Sequence, residues 1–289
     1  MNRKIDCLII GLGLIGGSFA LSLRKSFPNS KIYGYDLKKK SLDTAIKKKI
    51  IDNKFNFESD NLEINLVVVA VPLLKAIEIF KKLRQLNLPK DITIFDLSSS
   101  KKIIHSEIKT FSKEFLKNVV LCHPIAGSEK SGINACGVDL FIDKRLILIN
   151  DVFTSRKSLQ FSKMIWQLIG SKVIPMRLND HERVFCYLSH LPHLVSFAMV
   201  NTVGKKQIKN VSSLAGAGFY DFTRIAASST EMWLDILISN KNELIKSINL
   251  LQSELDYFKD NLKKNNHHDL KNLINSASSL RRKWKIERK

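Results

Sequence analysis

Long uninterrupted apolar runs are missing from the 289-residue sequence. None reaches the roughly 18 residues that a membrane-spanning helix needs, so no membrane span and no membrane partner are expected. Cysteine is scarce and unpaired. Cys7, Cys122, Cys136 and Cys186 lie far apart with no C-x-x-C pair, which argues against a disulfide framework or a zinc site. Small buried thiols suit a reducing compartment, and the cytoplasm is the expected location. The apolar stretch in MNRKIDCLIIGLGLIGGSFA is broken by glycines and lacks a cleavage site, so it is a strand and not a signal peptide. Acidic residues are also few: 27 Asp and Glu face 47 Lys and Arg, a net charge of +20. The basic clusters Lys38–Lys40, Lys47–Lys49 and RRKWKIERK are not interleaved with aromatics as a base-stacking surface requires. No nucleic-acid partner is expected, and the charge suits anionic small molecules. Neither an internal repeat nor a low-complexity linker is present.

What is present is strand–helix alternation. DCLIIG, KIYGYD, INLVVVAVP, ITIFDLS, NVVLCH, RLILIN and KVIPM are short and rich in Ile and Val. Segments of helical period lie between them near 15–26, 41–49, 73–86, 100–115 and 155–169. Near-continuous apolar strands alternating with helices predict an α/β fold, a doubly wound Rossmann-type parallel sheet covered on both faces. After Pro175 the strand signals stop, and 181–203, 207–215, 230–263 and 267–284 have helical period. Two domains are therefore expected: a dinucleotide-binding Rossmann domain over 1–177 and an all-helical substrate and dimerisation domain over 178–289. Apolar faces longer than so small a helical domain can bury suggest a homodimer.

Gly11-Leu12-Gly13-Leu14-Ile15-Gly16 follows the first strand and opens a helix, the G-x-G-x-x-G pattern in its required context. Gly11 permits the tight turn, Gly13 lets a pyrophosphate approach the backbone, and Gly16 lets helix and strand pack closely. Leu14 and Ile15 begin the helix whose free N–H groups would face the phosphates, and Val71-Pro72 follow a neighbouring strand. Asp36 ends the second strand, twenty residues after Gly16. Its carboxylate can accept from the ribose hydroxyls and would repel a 2′-phosphate, which predicts NAD. Lys38–Lys40 keep NADP open as an alternative.

His123 ends the fifth of these strands, at the sheet edge where ligands of open α/β folds bind. It can take a proton from an alcohol as hydride leaves the same carbon, or be a structural loop histidine. The chain then offers Asp96-Leu97-Ser98-Ser99-Ser100-Lys101, Ser189-His190-Leu191-Pro192-His193, and Asp221-Phe222-Thr223-Arg224-Ile225-Ala226 followed by Trp233. With His123-Pro124-Ile125-Ala126-Gly127-Ser128-Glu129, these motifs resemble the prephenate/arogenate dehydrogenase family of tyrosine biosynthesis, in the family's order and over about residues 5–260.

That resemblance implies NAD-dependent oxidative decarboxylation of prephenate to 4-hydroxyphenylpyruvate, with hydride passing from C4 to the nicotinamide. The alternative is arogenate to tyrosine, with NAD or NADP. It implies that His123 is catalytic and hydrogen-bonded to the 4-hydroxyl, and that Ser99 positions that histidine. Arg224 would grip a substrate carboxylate, with His193 and its neighbour His190 also binding substrate. Ser128 and Glu129 would lie near the site entrance, Asp221 would orient Arg224, and Trp233 would reach the site of the dimer partner. The sequence departs from the family at Ser98, where glycine is common, and at Tyr220, where a basic residue is usual. No appended regulatory domain is expected within this length. His190 and His193 share a helix face, but no third ligand lies at metal spacing, so no metal is expected. A 3-hydroxyacid dehydrogenase would need a G-x-x-x-K segment that the helical half lacks. A basic nucleic-acid-binding protein on a Rossmann shell is the more remote alternative.

Overall fold

The computed structural model describes residues 4–58, 63–127, 132–150 and 153–284. Eight strands form one sheet: β1 (Cys7–Ile10), β2 (Ile32–Tyr35), β3 (Asn53–Lys54), β4 (Leu66–Val69), β5 (Thr93–Asp96), β6 (Val119–Pro124), β7 (Arg145–Ile149) and β8 (Lys172–Met176). Their spatial order is β3-β2-β1-β4-β5-β6-β7-β8. The reversal beside β1 is the switch point of a doubly wound sheet, where ligands enter. Helices α1 (Leu14–Ser26), α2 (Lys39–Lys47), α3 (Leu73–Leu83), α4 (Lys102–Ile108), α5 (Lys113–Leu116) and α6 (Arg156–Leu168) join the strands. Strands β1 and β4 are apolar at every position because both faces are covered. Cys7 and Ile9 face a cluster with Phe19, Phe95 and Trp166, while Leu8 and Ile10 face one with Val67, Phe80 and Ile94.

The sheet is not wholly parallel. β7 runs antiparallel to β6 and parallel to β8. In the connection from 125 to 144 the only helix among the described residues is the 3-10 turn Ile133–Ala135, so the crossover helix that a parallel partner needs is missing there. The sequence pattern also omits β3, whose two polar residues, Asn53 and Lys54, carry no apolar strand signal.

Then come α7 (Leu178–Phe185), a π-helical turn (Cys186–His190), α8 (Leu191–Lys205), α9 (Val211–Leu214), α10 (Ala217–Thr223), a 3-10 turn (Arg224–Ala227), α11 (Thr230–Ser239), α12 (Lys241–Lys263) and α13 (His267–Lys283). The helix expected over 207–215 shrinks to α9, because Gln207 and Asn210 adopt positive φ. The expected 100–115 helix is two, restarted by Ser112, whose side chain accepts from Phe115 N–H. The expected 230–263 helix breaks at Asn240. Compactness groups the chain into Met1–Lys241 and Asn242–Lys289. The first unit holds the sheet with α1–α11. The second holds most of α12 and all of α13. No helix among the described residues is long and apolar enough to cross a membrane.

Candidate functional site

The glycine loop leaves β1 at the switch point. Gly11 has φ +95°, and a Cβ there would stand 2.4 Å from the Ala70 carbonyl oxygen. A Cβ on Gly16 would meet the Gly11 carbonyl oxygen at 1.9 Å, so both positions require glycine to keep β1, β4 and α1 in contact. At Gly13 the case is opposite: a Cβ would meet nothing within 4 Å. The first backbone bond of α1 runs from Gly17 N–H to the Gly13 carbonyl, 2.9 Å, leaving the N–H groups of Leu14, Ile15 and Gly16 ahead of the helix's own ladder. Open space beside free donors is what a pyrophosphate needs. Asp36 anchors the loop, accepting from Leu12 N–H and Lys38 N–H at 2.8 Å each. Val71 borders the Gly11 turn, and Pro72 precedes α3. These residues fit a dinucleotide.

The carboxyl ends of the parallel strands β1, β4, β5 and β6 share one edge of the sheet. His123 lies near the end of β6, opposite Ile147 of β7, with part of its surface open. Its Nδ1 is 2.8 Å from His181 Nε2. His181 Nδ1 is 3.0 Å from Glu182 Oε1. In α7, Leu178, His181, Glu182 and Phe185 recur at helical spacing and so share one face, and the rings of His123 and His181 pack on Phe185. Glu182 Oε1 also accepts the backbone N–H groups of Lys101, 2.9 Å, and Lys102, 3.3 Å, while Oε2 accepts from the Ser100 hydroxyl at 3.2 Å. Beneath this loop Lys101 Nζ pairs with Asp96 at 2.6 Å, both side chains fully buried. The Ser98 hydroxyl lies 2.8 Å from the same Asp96 carboxylate, so the serine that departs from the family's glycine joins the buried network.

Burial, with His181, Lys101 and His190 nearby, pushes the His123 pKa well below its ordinary value. Burial likewise lowers His181, against the pull of Glu182. Burial alone would raise Glu182, but the His181 bond and the backbone donors outweigh it and hold the carboxyl below its usual range. The group is therefore two neutral imidazoles ending on a carboxylate.

The helices supply the second wall. The π turn ends at His190, which is buried and pushed down to about 4, chiefly by desolvation. Asn240 Nδ2 donates to the Glu182 carbonyl at 2.9 Å and sits 3.4 Å from His190 Nδ1, which is the use of the helix break. His193 Nδ1 donates to the Ser189 carbonyl at 2.8 Å, and its ring stacks on Trp233 with centroids 3.6 Å apart. Burial lowers the His193 pKa, and the positive charge of Arg224 lowers it further. The turn carrying Arg224 is tied to α8 by the Ser196 hydroxyl, which donates to the Phe222 carbonyl at 3.0 Å.

Of the expected site residues, the structure brings His123 and His190 into one cluster through His181 and Glu182, and joins His193, Trp233 and Arg224 beside it. Ser99 is half-buried in the loop over the Lys101–Asp96 pair, and its hydroxyl has no hydrogen-bond partner among the described residues. Trp233, assigned by resemblance to the partner's site, stacks on His193 of its own chain, where α11 packs beside α8. Asp221 is exposed on α10, and no ion pair joins it to Arg224 among the described residues. Ser128 and Glu129 lie outside the described residues. Sequence reasoning missed His181, Glu182 and Asn240, and it quoted Asp96 and Lys101 in a motif without giving them a role. Two titratable residues on the apolar stripe of Leu178 and Phe185 were the available signal.

A family model for the prephenate dehydrogenase nucleotide-binding domain matches residues 19–175, and one for the prephenate dehydrogenase dimerization domain matches 177–276. The chain is similar to a crystal structure of prephenate dehydrogenase from A. aeolicus in complex with hydroxyphenyl propionate and NAD+. The two share 33% identity and a TM-score of 0.89, covering 98% of this chain and 99% of that one. It is 29% identical to the prephenate dehydrogenase of Bacillus subtilis over 97% of this chain and 76% of that protein. It is 31% identical to the cyclohexadienyl dehydrogenase of Zymomonas mobilis over 89% and 85%.

Proposed function

Because the chain belongs to the prephenate dehydrogenase family, we propose that it converts prephenate to 4-hydroxyphenylpyruvate and carbon dioxide with NAD. The observation that carries this reading is the neutral His123 at the sheet edge shared with the glycine loop, its Nδ1 engaged by His181 and its Nε2 without a hydrogen bond among the described residues. Bound at that loop, NAD supplies the hydride acceptor. Gly13 and the first turn of α1 would hold its pyrophosphate, with Leu14 and Ile15 beside it. Asp36 would meet the ribose, which favours NAD over NADP, and Val71 and Pro72 would border the cofactor across the turn.

His123 Nε2 accepts the hydrogen bond of the 4-hydroxyl and so raises electron density at C4 as its hydride departs. The product keeps that hydroxyl as a phenol, so the proton drawn toward His123 returns to the same oxygen. Loss of carbon dioxide and aromatisation supply the driving force, and the protein's task is orientation. Ser99 stands on the loop that follows β5, the strand paired with the one carrying His123. Arg224 holds a carboxylate in the bidentate manner suited to guanidinium, with His193 and Trp233 forming the adjoining wall and His190 behind them. A cation beside a neutral imidazole suits a side chain ending in ketone and carboxylate, which favours prephenate over the ammonium-bearing arogenate. The functional seam falls at 177/178, between the cofactor half and the substrate half.

The reading includes a homodimer. Leu250, Leu255, Leu262 and Ile274 of α12 and α13 are large, apolar and exposed, which supports burial against a second copy. It also places the enzyme in the cytoplasm, supported by four free cysteines. The test is NADH formation by purified protein with NAD or NADP, each crossed with prephenate or arogenate. Turnover of prephenate with NAD is expected. Turnover of arogenate alone, or with NADP alone, overturns the assignment.

A further inference from the structure

We infer that Glu182, acting through His181, is a positioning residue that fixes which nitrogen of His123 faces the substrate. The inference rests on the proposed function only in taking His123 as the group that meets the hydroxyl.

The argument is one of donors and acceptors. An ionised carboxylate can only accept. Glu182 Oε1 already accepts Lys101 N–H and Lys102 N–H, so at 3.0 Å the hydrogen must lie on His181 Nδ1. A neutral His181 then presents a lone pair at Nε2. At 2.8 Å from that lone pair, His123 Nδ1 must carry the hydrogen. His123 is left with its lone pair on Nε2, ready to accept from a hydroxyl. The order of protons runs from Glu182 outward, and no other tautomer satisfies both contacts.

The groups facing the relay agree with this order. Lys101, paired with Asp96 in the connection from β5 to α4, and His190 from the π turn both disfavour a standing charge on His123. Glu182 is the anion at the far end, able to draw on charge that builds while the 4-hydroxyl proton is shared. The same carboxylate holds the start of α4 and the Ser100 hydroxyl, and Asn240 holds its backbone carbonyl. It thereby sets the imidazole pair and the serine loop in one frame. A proton added to His181 reverses the relay. His181 then donates from Nε2, His123 must accept at Nδ1, and the hydrogen moves to the nitrogen that faces substrate.

Glu182→Gln isolates the charge. The amide oxygen in the Oε1 position still accepts from His181, Lys101 and Lys102, and the amide nitrogen can donate to the Ser100 hydroxyl. The experiment is nitrogen-15 NMR of histidine-labelled, substrate-free protein, with kinetics on the same samples. In the unaltered protein both His123 and His181 should carry their proton on Nδ1. In Glu182→Gln the histidine titrations should move to lower pH. The kcat should fall roughly ten- to a hundredfold, less than loss of the base itself, with KM for NAD within about twofold. A proton on His123 Nε2 in the unaltered protein overturns the inference, as do unchanged titrations and kcat in Glu182→Gln. The NMR needs no substrate. The expected tautomers without prephenate turnover would indict the functional reading, and turnover with the opposite tautomer would indict this one.

Discussion

The glycine loop makes two alanine substitutions of opposite consequence. At Gly16 a Cβ would fall 1.9 Å from the Gly11 carbonyl oxygen, well inside contact distance, and that oxygen belongs to backbone packed under Ala70. Overpacking of this kind costs about 1–3 kcal/mol, partly offset by about 1 kcal/mol of helix propensity gained over glycine. At Gly13 the Cβ enters open space, and the backbone, at φ −84° and ψ −161°, suits any residue. Gly13→Ala should leave stability within about 0.5 kcal/mol of the original. It should instead fill the volume the pyrophosphate needs. Losing one charge-assisted N–H bond to phosphate costs about 1.5–3 kcal/mol, or roughly a 10- to 150-fold rise in Kd. Thermal melts and calorimetric titration with NAD separate the two effects. Gly13→Ala should melt normally and bind poorly, and Gly16→Ala should melt early. NAD binding by Gly13→Ala at the original affinity would refute the assignment of that space to the cofactor.

Three further outcomes are expected. His123→Asn should lower kcat by about 10²–10⁴-fold in steady-state assays with little change in substrate affinity. Arg224→Ala should weaken hydroxyphenyl propionate binding by about 1.5–3 kcal/mol, measured by calorimetry, and equal affinity would rule out its role as a carboxylate clamp. His190 titrates near 4 in the folded protein and at 6.5 unfolded, so the unfolded chain binds the extra proton between those values. Stability should be complete above pH 6.5 and fall by about 3 kcal/mol as pH drops toward 4, in the same direction as His123 and His181 contribute. Urea unfolding across that range should show a shallower loss in His190→Gln.

Seven strands were legible because short runs of Ile, Val and Leu mark them, most plainly in β1 and β4, which are buried on both faces and apolar throughout. Strand direction was not. RLILIN reads the same in either sense, and only the connection from 125 to 144 decides that β7 runs against β6. Helix breaks were hidden for a related reason. The apolar period continues from 230 to 263, yet Asn240 interrupts it to donate to a carbonyl 58 residues earlier. A periodicity argument sees each residue's neighbours along the helix and not such distant partners. The glycine loop, His123 and Arg224 were visible because their chemistry is local to short motifs. His181 and Glu182 were not, since their roles exist only once α7 lies against β6 and the start of α4.

The histidines bear on how the site handles charge. His123, His181, His190 and His193 all have lowered pKa values, with burial the first cause in each. A cluster that looks cationic in the sequence is therefore neutral at pH 7 and serves as acceptors and packing surface. Under the proposed function, the task of meeting a substrate carboxylate would fall to Arg224. Under that division of labour, Arg224→Lys is not a conservative change: it keeps the charge and loses the planar fork. If Arg224→Lys bound hydroxyphenyl propionate as well as the original, charge alone would suffice. The adjoining imidazoles would then have to supply the orientation here credited to the guanidinium.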